Sequence, residues 1–176
     1  ALISNDKPLI GIEPSAILGF RDEYPNLVDA NLRSTAENLA ENVFTIEEFL
    51  AKELNAHKID ISKFTTKSET VYYHGHCHQK ALSSNTYAET ILKMPPNFKV
   101  ETIDSGCCGM AGSFGYEKEH YDLSQQIGED RLFPFLRELK KEVIVSASGT
   151  SCRHQIRDGV NKTALHPIEI LYNALN

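Results

Sequence analysis

Two adjacent cysteines inside a run of glycines constrain this chain most. Ser105-Gly106-Cys107-Cys108-Gly109-Met110-Ala111-Gly112-Ser113-Phe114-Gly115 carries glycine at every third position, 106, 109, 112 and 115. Without side chains, such residues let backbone approach closely and take dihedrals that other residues avoid. The other two cysteines, Cys77 and Cys152, lie 30 residues before Cys107 and 44 residues after Cys108. The expectation is that all four meet around one metal centre.

Hydrophobic patterning says how residues so far apart could meet. Residues 7–13 read as a short buried strand stopped by Pro14. Leu27/Val28, Leu32, Ala36, Leu39 and Val43 recur at three- and four-residue steps, which predicts one face of a long helix. Thr45-Ile46-Glu47-Glu48 fits a capping box that opens a second helix carrying Phe49, Leu50 and Leu54. Residues 57–69 have no clear period and read as a connection. Strands are then predicted over 70–74, 98–103 and 142–147. Helices are predicted over 79–92 and 117–132, after Pro134, over 153–158 and from Pro167.

Strand, loop and helix repeated in this way predict an α/β fold, a mostly parallel sheet flanked by helices. Each cysteine falls at or just past a strand end. In such folds sites gather at the carboxyl ends of the strands, so the metal site is expected there.

At 176 residues the chain has the length of a single domain. A net charge of -6 supplies no basic stripe to neutralise phosphates, which argues against a nucleic-acid partner. No stretch approaches the roughly 20 apolar residues of a transmembrane segment. The first residues lack a basic start followed by an apolar run, so no signal peptide is read. Reduced thiols in the cytoplasm are therefore expected, with peripheral attachment to the cytoplasmic membrane left open. The missing initiator Met, with a start that runs quickly into a strand, reads as a fragment of a longer chain.

Thiolates bind soft or borderline metals, and four of them suit tetrahedral zinc or an iron–sulfur cluster. Neighbouring residues on an extended chain point to opposite sides. Cys107 and Cys108 thus reach two irons more readily than they clamp one ion, unless the glycines turn the backbone sharply. Gly106 and Gly109 are expected to turn the loop and aim N–H groups at sulfur. Cys152 is expected near a helix N-terminus, where a thiolate is favoured. Ordinary buried cysteines, or a Cys107–Cys108 redox disulfide, are the competing readings. So is a nucleophilic Cys77 paired with histidine.

Tyr73-His74-Gly75-His76-Cys77-His78 puts histidine at alternating positions, as in some zinc hydrolases, but no carboxylate occurs between Thr70 and Ala88. Satisfied polar roles, or a role supporting a metal ligand from behind, are expected for His74 and His76. His78, beside Cys77, is the best placed to hydrogen-bond or ligate. Structural roles are expected for His154 and His166, and a surface position for Glu13.

His76-Cys77-His78, Cys107-Cys108-Gly109 with Gly112-Ser113-Phe114-Gly115, and Ser151-Cys152 together resemble the cysteine-rich "CCG" domain. That domain occurs in one of the subunits of heterodisulfide reductase and in iron–sulfur subunits of glycolate oxidase and anaerobic glycerol-3-phosphate dehydrogenase. It also ends FAD-linked D-lactate/2-hydroxy-acid dehydrogenases. Gly11-Ile12-Glu13-Pro14-Ser15, Arg21-Asp22-Glu23-Tyr24-Pro25 and Gly128-Glu129 with Leu132-Phe133-Pro134 look most like the C-terminal part of the large flavin-linked proteins.

The resemblance implies a single cysteine-rich domain over 1–176, the C-terminal fragment of a flavin-linked oxidoreductase. It would be an electron-transfer module with no catalytic residue of its own, relaying electrons from FAD in the missing part toward a quinone or other acceptor. Cys77, Cys107, Cys108 and Cys152 match the family's ligand cysteines, with a 4Fe–4S or other iron–sulfur cluster implied. Two positions depart from the pattern: the first cysteine of a terminal Cys-x-x-Cys is here Gly149, and the residue after Glu-Pro-Ser is Ala16. Four ligands then remain where the full pattern has five, which leaves Zn2+ open. A structural zinc module that docks the flavin enzyme to a partner is the alternative function. The glycine run does not have the spacing of a dinucleotide-binding loop.

Overall fold

The structure, a computed structural model, describes residues 2–176. Strand β1, Leu9–Gly11, is followed after Ile12 and Glu13 by Pro14, whose fixed φ opens a four-residue helix, α1 (Pro14–Ile17). Two short helices follow, α2 (Glu23–Leu27) and α3 (Arg33–Ala40). Strand β2 (Val43–Thr45) then pairs in parallel with β1, Leu9 opposite Val43 and Gly11 opposite Thr45.

The long helix predicted through this region does not form. Val28 is extended at ψ 157°, and the turn formers Asp29 and Asn31 follow it. Leu27 is 81% exposed, so the supposed apolar stripe has nothing to cover, whereas Val43 is fully buried as a strand residue. Helical spacing alone misleads here; β-branched Val43 and Thr45 around Phe44 favour the pleated state instead.

The capping box is present as expected. The Glu48 N–H donates to Thr45 Oγ1 (3.2 Å) and Glu48 Oε2 accepts from the Thr45 N–H (2.8 Å), which opens α4 (Ile46–Asn55). Glu48 does more than cap. Its carboxylate, almost wholly buried, receives the Arg21 guanidinium at 2.6 and 2.8 Å and the Ser83 hydroxyl at 2.6 Å. Arg21 also donates to the Val43 and Leu82 carbonyls. These bonds lash the first third of the chain to the helix that carries Cys77. Removing one partner of such a buried pair costs about 3–5 kcal/mol, because the other charge is left uncompensated.

The second sheet has four parallel strands: β3 (Glu69–His74), β4 (Phe98–Thr102), β5 (Ile144–Ala147) and β6 (Ala164–Leu165), in the order β4-β3-β5-β6. Six helices connect or follow them: α5 (Cys77–Leu82), α6 (Asn85–Leu92), α7 (Tyr121–Asp130), α8 (Leu132–Glu138), α9 (Thr150–Val160) and α10 (Pro167–Asn173). The α/β class and the parallel pairing match the expectation; the division into two sheets does not. The helix predicted from Gln79 begins earlier, at Cys77. It also breaks at Ser83-Ser84, where Ser84 Oγ accepts the Thr86 N–H and restarts the chain as α6.

One apolar layer sets Leu132, Phe133, Leu136 and Ile156 against Val145 and Ala147. Another sets Ala88, Leu92 and Ile170 against Val71 and Tyr73. Each fully buried side chain of this size contributes about 1.5–3 kcal/mol. Both faces of the four-stranded sheet are therefore covered, and the strand ends are held rigidly where the cysteines emerge. Among the described residues, no helix is long and apolar enough to cross a membrane.

Candidate metal centre

The site lies beyond the carboxyl ends of β3, β4 and β5. After β3, His76 caps α5, its Nδ1 accepting the His78 N–H at 3.2 Å, and this puts Cys77 at the first helical position, exposed. The strand's last residue, His74, turns inward and is fully buried; its Nδ1 lies 2.6 Å from Ser105 Oγ. Its Nε2 has no hydrogen-bond partner.

After β4 the chain enters the glycine run. Lys80 Nζ, on α5, donates to the Ser105 and Gly106 carbonyls at 3.1 and 3.0 Å and holds the loop over the Cys77 helix. Gly109 (φ 98°), Ala111 (φ 42°) and Gly112 (φ 69°) all take left-handed conformations, so the loop curls back on itself. The Gly109 N–H donates to Cys107 Sγ at 3.3 Å, as expected of a glycine N–H beside a thiolate. Gly106 has ordinary backbone and open space around it; it serves the loop through its carbonyl.

After β5, Arg153 Nη1 donates to the Ala147 and Ser148 carbonyls at 3.0 and 2.6 Å, fixing the entry into α9, whose first turn holds Cys152. Gly149 precedes that helix and has no side chain to cap it. Glu13, just past the end of β1, does so from across the molecule: Oε2 accepts the Thr150 N–H at 2.8 Å, and Oε1 accepts the Ser15 hydroxyl at 2.9 Å. Burial pushes the Glu13 carboxyl up, but the Thr150 and Ser15 hydrogen bonds outweigh it and hold it below the usual glutamate range.

That depression has a consequence for stability. The Glu13 contribution is present above the unfolded glutamate pKa, about 4.3, and is lost as pH falls through the lower folded value. Glu13→Ala is expected to cost about 1 kcal/mol at neutral pH, the usual worth of a cap. In denaturant unfolding the gap to wild type should shrink in acid; a gap unchanged with pH would show that the charge does not act there.

The four cysteines converge. Cys77 touches Cys107, Cys107 touches Cys108, and Cys108 touches Cys152. A ring nitrogen of His74 and the sulfurs of Cys108 and Cys152 all lie within 4.8 Å of one another. A cavity of about 340 Å3 opens onto the sulfurs, its wall completed by Ser15, His76, His78, Ala111 and Gly112.

Protons are unequally shared along the row. Contacts from the Cys108 and Cys77 thiols push Cys107 down to about 2. Contact with the Cys108 thiol also holds Cys152 well below the ordinary thiol range despite burial, helped by the neighbouring His74 ring. Contact with Cys107 and burial push Cys77 up; contacts with Cys107 and Cys152, then burial, push Cys108 up. The crowded sulfurs thus share protons and negative charge along the row. A metal ion displaces such protons and compensates such charge. The sulfur donors and the unpartnered buried nitrogen fit a thiophilic metal or an iron–sulfur cluster.

Of the residues expected at the site, all four cysteines are brought together, and Gly109 and Gly106 shape the loop. His78 lines the cavity and its ring stacks on His76 at 5.6 Å, but it is outside the three-donor group. His74, expected to be a satisfied polar residue or to support a ligand, lies beside the Cys108 and Cys152 sulfurs with one ring nitrogen on Ser105. Glu13 is a cap, not simple surface. His154 pairs through Nδ1 with the Tyr116 hydroxyl at 2.6 Å, and His166 Nδ1 accepts the Ile168 N–H to cap α10, both structural roles as expected.

Position 149 is crowded by the His76 side chain. Gly149 has an ordinary φ of -76°, yet a Cβ there would sit 2.3 Å from His76 Cδ2. The imidazole of His76 fills the space where a further ligand would start.

No family model matches the chain. Among curated proteins it is 29% identical over 169 residues to the C subunit of the anaerobic glycerol-3-phosphate dehydrogenase of Escherichia coli (strain K12), spanning 96% of this chain and 40% of that protein. It is 28% identical over 165 residues to the D-2-hydroxyglutarate dehydrogenase of the same strain, spanning 93% of this chain and 15% of the relative. The D-2-hydroxyglutarate dehydrogenase of Haemophilus influenzae is 28% identical over 175 residues, with 16% of its length spanned. The chain thus spans less than half the length of these relatives and is similar to one part of each. No solved structure matches.

Proposed function

We propose that this chain is the metal-bearing electron-transfer domain of a flavin-linked oxidoreductase that acts on a 2-hydroxy acid or a similar alcohol. It takes electrons from FAD held elsewhere in the parent protein and passes them to a quinone or another carrier. The observation that carries this reading is the convergence of four cysteines from three separate strand ends on one cavity. The relatives named as dehydrogenases support it, since each is matched over a part only.

When bound, an iron–sulfur cluster supplies one-electron chemistry at these sulfurs. The chain's own residues do the rest. Cys77 and Cys107 face the cavity, and Cys108 and Cys152 form its floor. The Gly109 N–H disperses charge from Cys107, and Lys80 anchors the loop. Glu13 and Arg153 fix the start of the Cys152 helix. Ser15 and His76 shape the side of the cavity toward β1 and leave room for a partner surface to approach Cys77.

A second reading is a structural zinc module that docks the flavin enzyme to a partner. The absence of a cysteine at Gly149 and the nitrogen of His74 favour it, because thiolates mixed with imidazole are a common zinc set. Anaerobic purification with an optical spectrum and metal analysis separates the two. A brown protein with several irons and matching sulfide per chain is expected. A colourless protein holding about one zinc and no iron, even after anaerobic reconstitution, would establish the second reading instead.

A further inference from the structure

We propose that His74 is a nitrogen ligand of this centre, joining Cys108 and Cys152 at its buried end. The proposal rests on the reading of the cysteines as a metal centre and adds a donor that the cysteine pattern does not contain. The cavity walls, the remaining histidines and the buried Glu47–Ser148–Tyr73 hydrogen bonds are the other places where unassigned chemistry could reside. Among the described residues, His74 combines full burial, a nitrogen without a well-formed hydrogen bond and proximity to sulfur.

A neutral imidazole carries one N–H and one lone pair. Ser105 Oγ, 2.6 Å from Nδ1, engages one nitrogen and orients the ring. Nε2 makes no well-formed hydrogen bond in this fully buried site, where the His74 ring contacts the Cys152 sulfur. An unpaired buried polar atom costs about 1–3 kcal/mol, so it calls for a compensating group. The two sulfurs, with the His74 nitrogen within 4.8 Å of both, supply the other donors of a group with the spacing to hold a metal ion.

The arrangement also has the support that ligating histidines need. Such a residue holds its second ring nitrogen in a hydrogen bond that fixes ring orientation. Ser105 does this for His74, and Lys80 in turn fixes the Ser105 carbonyl at 3.1 Å. The neighbouring histidines are otherwise committed. His76 spends Nδ1 on the start of α5 and packs its ring against Gly149, while His78 stacks outward on His76.

X-ray absorption at the zinc edge, on the reduced apo-chain loaded with one equivalent of Zn2+, tests this without any variant. The expected spectrum contains a nitrogen scatterer at about 2.0–2.1 Å together with sulfur at about 2.3 Å. His74→Ala should remove the nitrogen shell and weaken zinc binding by about 100-fold. Ser105→Ala should keep the shell and weaken binding by about 10-fold. A shell of sulfur alone in the wild type overturns the assignment and leaves a cysteine-only centre standing; a nitrogen shell that survives His74→Ala overturns it in favour of another nitrogen ligand. Failure of the wild-type chain to take up either zinc or iron overturns both the assignment and the metal reading.

Discussion

Replacing Cys108 with alanine is expected to empty the metal centre, and to do so more completely than replacing Cys77. Cys108 is 2% exposed and lies in the middle of the row, touching Cys107 and Cys152 and close to His74. Cys77 is exposed at the outer end and touches only Cys107 among the thiols. Loss of a ligand should exceed the 10–100-fold effect of losing an outer hydrogen bond. Cys108→Ala should therefore retain almost no metal through gel filtration under chelating conditions, while Cys77→Ala retains a measurable fraction.

The same variant separates binding from folding. Without metal, Cys108→Ala removes one small buried group and should cost only about 1 kcal/mol. With metal, the wild type gains stability by mass action, about 2.7 kcal/mol at a free concentration 100 times Kd, and the variant gains none. Thermal unfolding with and without metal reads this directly. Full metal content in Cys108→Ala would remove that residue from the ligand set.

Much of this architecture is legible in the sequence because the relevant signals are local. Pro14 and Pro167 at helix starts, the Thr45–Glu48 capping box and the Val71 and Val145 strands each depend on neighbours a few residues away. Each of three strand ends is followed by cysteine, and parallel pairing makes those ends coincide in space, so the convergence itself can be anticipated. The split of the first helix cannot be read from spacing. Leu27 and Leu32 fit an apolar face, but both are exposed, and the decisive partner of Val43 is Leu9, far away in sequence.

The site residues that escape a reading of the sequence are those defined by long-range contacts. Glu13 is 137 residues from the N–H it caps, and His74 is 31 residues from Ser105. One signal is present for His74: it ends a strand whose buried Val71 and Tyr73 flank the half-buried Tyr72, so the strand is enclosed by its last residues. Three alternating histidines suggest one shared face, yet the strand stops at His74 and a helix starts at Cys77. The shared face ends there, and the three rings take three different roles.

Gly109→Ala is expected to be far more damaging than the same change at Gly106 or Gly112, a difference that spacing alone does not foretell. Gly109 has φ 98°, and a Cβ built on it would lie 2.1 Å from the Ser124 carbonyl oxygen and 3.0 Å from Gln155 Nε2. Neither neighbour can yield cheaply. Ser124 is part of α7, and Gln155, on the Cys152 helix, donates to both Ser124 O (3.0 Å) and Ser124 Oγ (2.9 Å). The forbidden dihedral costs about 1–3 kcal/mol and the forced displacement a similar amount, so a loss of about 3 kcal/mol or more is expected. Gly112, at φ 69° with open space around it, should lose only the dihedral part, about 1 kcal/mol. Gly106, with ordinary backbone and nothing within 4 Å of an added Cβ, should stay within about 0.5 kcal/mol. Denaturant unfolding of the three alanine variants should therefore rank 109 far above 112 and 112 above 106. Because Gly109 also aims its N–H at Cys107 and sets the path out of Cys108, metal retention should fall in the same order. Equal effects at 106 and 109 would mean that the loop does not take the path that brings the two cysteines together, and the centre would have to be rebuilt around Cys77 and Cys152 alone.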